Sequence, residues 1–124
     1  MPDCIIVGGG AIGLLTARKL FLEGLDVLLL EKGPLGGESS WAGGGIISPL
    51  VPWQYPEAVS TLVRWSQHYY PGLAGELLEE TGIDVEWLPS GLLMPGVAAE
   101  PTILEWAGRH GCAMRAVAAS ELHE

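Results

Sequence analysis

One short stretch constrains this chain more than any other. Residues 8–13 read Gly-Gly-Gly-Ala-Ile-Gly, a G-x-G-x-x-G spacing, directly after the apolar run of residues 3–8, "DCIIVG". A helical pattern follows over residues 11–24, "AIGLLTARKLFLEG", and a second apolar run over residues 26–31, "DVLLLE". Ile12, Leu15, Leu20 and the small Gly13 and Ala17 form its sheet-facing side, with Arg18, Lys19 and Glu23 outside. Gly24 supplies a C-terminal stop. Two apolar runs around one helix predict a βαβ unit with parallel strands. The fold class expected is therefore α/β, a Rossmann-like unit with following helices and a small β-hairpin, in an incomplete domain.

The glycines have separable roles in such a unit. Gly8 allows the turn from strand to helix, Gly10 lets a diphosphate approach the backbone, and Gly13 lets helix and strand pack closely. The N–H groups of Ala11 and Ile12 lie at a helix N-terminus, where the dipole favours a negative group. Glu31 closes the second strand and can accept hydrogen bonds from both hydroxyls of a ribose. Its charge repels a 2′-phosphate. The expected ligand carries a plain adenosine ribose, as FAD and NAD do.

Residues 32–55 show no periodicity and hold Pro34, Pro49 and Pro52, which predicts a long loop, and loops of that length are usually functional or disordered. Within it, Ser39 and Ser40 offer hydroxyls at diphosphate reach, and Gly43, Gly44 and Gly45 let backbone lie against a flat ring. A flavin fits that need better than a nicotinamide.

Residues 56–82 turn helical, with Pro71-Gly72 expected to kink or split the helix and Gly82 to end it. Residues 83–88 and 91–96 predict a β-hairpin around Pro89-Ser90. Residues 101–111 predict a helix with Pro at its first turn. Residues 112–117, "CAMRAV", predict a strand, and Ser120 the N-cap of a further helix.

Composition narrows the function classes. The 124 residues carry a formal charge of −9, and the six Lys and Arg form no basic stripe, so nucleic acid is not an expected partner. No apolar run approaches the roughly 20 residues that span a bilayer. No leader pattern opens the chain, and a cytoplasmic location is expected by default. Cys4 and Cys112 lack metal spacing and read as small core residues. His68, His110 and His123 read as surface or capping residues, and Glu76, Glu79 and Glu80 as a solvated helix face. Trp41 shields a bound ring or packs in a core or interface; Trp53, Trp65, Trp87 and Trp106 read as core or interface residues.

Beyond these readings, "IIVGGGAIGLLTARKL", "LLLEKG" and "GGESSWAGGGIIS" resemble the FAD-dependent amine and amino-acid oxidase family, the D-amino-acid oxidase-like group, and most of all its glycine oxidase branch, which serves thiamine biosynthesis. Weaker similarity runs on through "RWSQHYYPGLAGELLEETGIDVEWLPSGLLMPG". The resemblance covers the N-terminal part of a family member. It implies FAD as cofactor, with Gly8, Gly10, Ala11, Ile12 and Gly13 at the pyrophosphate and Glu31 at the adenosine ribose. Lys32 then sits beside the adenine, Ser39 and Ser40 near the phosphates, and Gly43, Gly44, Gly45, Ile46 and Ile47 under the isoalloxazine. Glu38 departs from this pattern, and its carboxylate is expected to turn outward, away from the phosphates.

The activity implied is oxidation of the C–N bond of glycine or a related small amino acid, with dioxygen as acceptor. A D-amino-acid dehydrogenase using another acceptor, and a dinucleotide-binding or structural module without catalysis, are the alternatives. The resemblance puts the substrate-gripping Arg in a later part of the family; Arg18, Arg64, Arg109 and Arg115 match none of it. The chain thus reads as an N-terminal piece not competent for turnover. Residues 1–124 are expected to be part of the FAD-binding domain, with 83–96 the first strands of a substrate domain. Apolar surface left uncovered predicts association into a homo-oligomer.

Overall fold

The computed structural model describes residues 1–98 and 100–123, the side chains of Leu122 and His123 excepted. The expectation for the His123 side chain therefore lies outside the described residues. The chain divides into two compact units, residues 1–46 and residues 47–124.

The first unit is the βαβ element. Strand β1 (Cys4–Val7) leads into helix α1 (Ala11–Leu22), which returns the chain to strand β2 (Val27–Leu30). The strands are parallel, with Cys4 opposite Val27 and Val7 opposite Leu30. The Gly8 N–H carries the ladder one step further by donating to Leu30 O at 2.8 Å. At the other end Asp3 Oδ2 accepts from the Asp26 N–H at 2.9 Å, which fixes where pairing begins. Burial alternates along both strands, with Cys4, Ile6, Val27 and Leu29 half-buried and Ile5, Val7, Leu28 and Leu30 exposed. Helix α1 contacts both strands. Leu15, Leu20, Gly13 and Ala17 are half-buried as the pattern predicts. Ile12 is not; it is 82% exposed and does not face the sheet. It stands in the first turn of α1. Gly24, at φ +85°, ends the helix in the left-handed region.

The expected loop over residues 32–55 holds two short elements. Helix α2 (Ser39–Ala42) is a single turn, and a 3-10 turn spans Pro52–Gln54. Neither is periodic enough to show in a sequence window.

In the second unit, helix α3 (Glu57–Thr81) is one element of 25 residues with Pro71 inside it. No split occurs at Pro71-Gly72. Gly82 terminates it at φ +70°, its N–H donating to Leu78 O at 2.8 Å. Helix α4 (Pro101–Arg109) starts with Pro in its first turn and meets the 3-10 turn at Pro52–Gln54. The buried apolar side chains of this unit are Leu73 and Ala107.

Residues 83–96 form no strand, so the predicted hairpin is absent. Local bonds replace it: Asp84 Oδ1 accepts from the Glu86 N–H at 2.8 Å, and Glu86 sits at φ 55°. Side-chain bonds of this kind compete with ladders, and an isolated hairpin is marginal at best. Residues 112–117 likewise form no strand. Ser120 lies inside a 3-10 helix (Ala119–His123) and caps nothing.

Candidate functional site

The sequence-predicted dinucleotide residues up to Ile46 lie in unit 1–46, and Ile47 opens the second unit. The site starts at the end of β1. Gly8 takes φ +110°, which an L side chain rarely adopts. Gly13 is held for a different reason. A Cβ there would lie 1.9 Å from Gly8 O, so α1 rests directly on the turn's backbone. These two glycines fix the helix N-terminus at the strand's end.

Helix α1 is preceded at its N-cap by Gly10, which has no side chain to cap it. Ser40 does so instead: its Oγ accepts from the Ala11 N–H at 2.9 Å. The single turn of α2 places that hydroxyl, and a Cβ on Gly10 would come within 3.2 Å of it. The first N–H groups of a helix have no acceptor of their own inside it, so Ile12 and Gly13 present theirs at the same end as Ala11.

Glu31 follows β2 and turns toward the glycine bend. Its Oε2 accepts from the Gly9 N–H at 2.7 Å and its Oε1 from the Gly33 N–H at 2.9 Å. The amide of Gly9 first, and then that of Gly33, hold its carboxyl below the ordinary carboxylate range, against a smaller upward push from desolvation. Glu31 is therefore an anion fixed beside the first turn of α1. Each oxygen keeps a lone pair for a further donor.

Sequence reasoning missed three residues here. Gly9 is buried, and a Cβ on it would strike Leu35 Cδ2 at 2.6 Å and crowd the Glu31 side chain at 3.1 Å. Gly36 donates its N–H to Gly9 O at 2.8 Å and stands at φ +70°. Leu35 and Gly36 thus fold the loop back over the bend. The G-x-G-x-x-G spacing leaves Gly9 as a free position; the run of three glycines was the available signal.

Lys32 turns to Glu38, Nζ to Oε1 2.6 Å, with both side chains largely exposed. The Glu38 side chain is 71% exposed, so it turns outward. Ser39 begins α2, and Gly43 ends it in extended backbone. Nothing lies within 4 Å of a Cβ placed on Gly44 or Gly45, so the space beside that backbone is open. Trp41 is 84% exposed in the same turn.

The donors and the acid fit an adenine dinucleotide with a plain ribose. Backbone amides meet at a helix N-terminus, with Ser40 Oγ on the first of them, and an ionised acid follows the neighbouring strand. Among the described residues no group of His, Cys, Asp and Glu is placed to hold a metal, and no helix is long and apolar enough to cross a membrane. Cys4 and Cys112 are free and half-buried.

A family model described as FAD dependent oxidoreductase matches residues 3–124. Among curated proteins, the chain is similar to a glycine oxidase of Pseudomonas aeruginosa, 48% identical over 119 residues, covering 96% of this chain and 33% of the relative. A glycine oxidase of Pseudomonas putida is 44% identical over 120 residues, covering 97% of this chain and 33% of the relative. A bifunctional protein ThiO/ThiG of Trichormus variabilis is 32% identical over 93 residues, covering 75% of this chain and 14% of that protein. The chain spans about a third of the length of the two Pseudomonas relatives. No solved structure matches it.

Proposed function

Because the chain belongs to the FAD-dependent oxidoreductase family, we propose that unit 1–46 holds the adenine dinucleotide of FAD in a protein that oxidises the C–N bond of glycine or a related small amino acid. The observation that carries the cofactor reading is the Glu31 carboxylate seated on the Gly9 N–H. It ties the ribose-selecting acid to the phosphate turn. The substrate reading rests on the two Pseudomonas relatives, whose names are glycine oxidase.

The chain's own residues bind and orient. The N–H groups of Ala11, Ile12 and Gly13 receive the diphosphate, with Gly8 and Gly10 leaving room for it. Ser40 Oγ now accepts from Ala11; with a phosphate oxygen at that place its O–H turns to donate, and Ser39 adds a second hydroxyl. Glu31 takes the ribose hydroxyls, with Lys32 beside the adenine. Gly43, Gly44, Gly45, Ile46 and Ile47 provide backbone for the ring. When bound, FAD would supply two-electron oxidation of the amine C–N bond to an imine that water hydrolyses to oxo acid and ammonia, with dioxygen as the proposed final acceptor and hydrogen peroxide as its product.

ADP-ribose and its 2′-phosphorylated form test the cofactor reading on this chain. Amide shifts of Gly9, Ala11 and Ile12 move saturably with ADP-ribose and far less with the 2′-phosphate. Equal response to both, or none to either, overturns it. Peroxide release from glycine by the protein at the length of its relatives tests the reaction; amine oxidation without peroxide points to another acceptor.

A further inference from the structure

A second polar site lies in unit 47–124. The 3-10 turn at Pro52–Gln54, helix α3 and helix α4 enclose a cavity of about 60 Å³. Water-sized occupancy needs about 10–15 Å³ by this measure, so the space takes roughly four to six heavy atoms. Pro52, Val59, Val63 and Trp106 make much of its wall apolar.

Two polar atoms of residues that line it lack partners. Ser60 is 7% exposed, and its Oγ is buried without a hydrogen bond. Arg64 Nε is buried and unsatisfied too. Both residues line the cavity. They stand one helical turn apart on α3, so they share a face. Orphan donors of this kind are rare and costly in native structures. A two-oxygen anion can satisfy both at once, and Arg is the residue suited to such an acceptor.

The neighbouring contacts leave the Arg64 Nε unclaimed. The Arg64 guanidinium reaches Glu57 through Nη2 only, at 3.3 Å, and that contact leaves Nε free of the pair. The same Glu57 carboxylate takes His110 Nε2 at 2.8 Å, while His110 Nδ1 faces Trp106 O at 2.8 Å. Both ring nitrogens thus face acceptors.

We propose that this cavity binds a small carboxylate of acetate size, gripped by Arg64 Nε and Ser60 Oγ. This site uses none of the dinucleotide residues of unit 1–46, and its test stands apart from the flavin reading.

The experiment is an acetate titration of the intact chain, with sodium chloride at matched ionic strength as control. The readout is the Nε–H resonance of Arg64, assigned through Arg64→Lys. A saturable shift with acetate and none with chloride is expected, and Ser60→Ala, which favours helix, should weaken acetate about tenfold. A linear shift equal in the two salts, no shift at all, or an acetate affinity unchanged in Ser60→Ala would overturn the proposal.

Discussion

At Gly13, a single methyl group decides whether α1 can rest on the strand end. The Cβ of an alanine there would meet Gly8 O at 1.9 Å, and the obstacle is backbone, which cannot rotate away. Overpacking of this kind typically costs about 1–3 kcal/mol, and Gly13→Ala is expected to destabilise the βαβ unit by at least that much in urea unfolding. Gly44 makes the contrasting case. Nothing lies within 4 Å of its virtual Cβ, and it has no positive φ. Gly44→Ala should leave stability within about 0.5 kcal/mol yet weaken flavin binding, because the methyl would stand where the ring is proposed to lie. Loss of stability in the Gly44 variant, or full flavin binding in both, would contradict this assignment. Gly8, Gly10, Gly13 and Glu31 are legible in the sequence because local backbone rules dictate them. Gly9, Leu35 and Gly36 are not, because their constraint comes from contacts made across the loop after β2.

At the scale of elements, α3 runs through a proline that should have broken it. Pro71 has no N–H for the helix and its ring crowds the carbonyl four residues back, an arrangement that costs about 3 kcal/mol in a helix interior. The helix nevertheless spans Glu57–Thr81, with Leu73 buried just beyond the proline. Tertiary burial therefore outweighs local propensity here. Pro71→Ala should stabilise the second unit by about 1–3 kcal/mol, read as a higher urea midpoint by circular dichroism; a lower midpoint would mean that the packing of Leu73 depends on the proline. The same balance explains what could be read in advance. The strands, α1 and α4 each carry a capping or periodic signal that agrees with their packing. Residues 83–96 carry strand-like runs, but an isolated hairpin is marginal on its own. The Asp84 turn takes over there.

At the scale of the molecule, each unit has an uncovered apolar face. In the first, Ile5, Val7, Leu28 and Leu30 share one side of a parallel sheet and are exposed, although parallel sheets are normally covered on both sides. In the second, Leu62, Trp65 and Tyr69 form an exposed stripe along α3, with the two rings stacked at 5.4 Å. The homo-oligomer expected from sequence is proposed to bury such faces.

Against that weak apolar cohesion, a few fixed carboxylates matter, and they set the response to acid. Glu31 is lowered chiefly by the Gly9 amide, and Glu57 chiefly by its hydrogen bond from His110. A carboxyl whose folded pKa lies below its unfolded one contributes stability in full above the ordinary value, about 4.3. That contribution fades as pH falls through the lowered folded value. Both units should therefore lose stability below about pH 4.3, in spite of the relief of self-repulsion as the chain of net charge −9 passes its isoelectric point near 4.6. The Gly9 and Gly33 amide protons report Glu31 directly, and their titration should inflect below the ordinary carboxylate range. In Glu31→Gln that inflection disappears and the acid loss in the first unit shrinks. An inflection at the ordinary value would show that the carboxylate does not hold the glycine turn in solution.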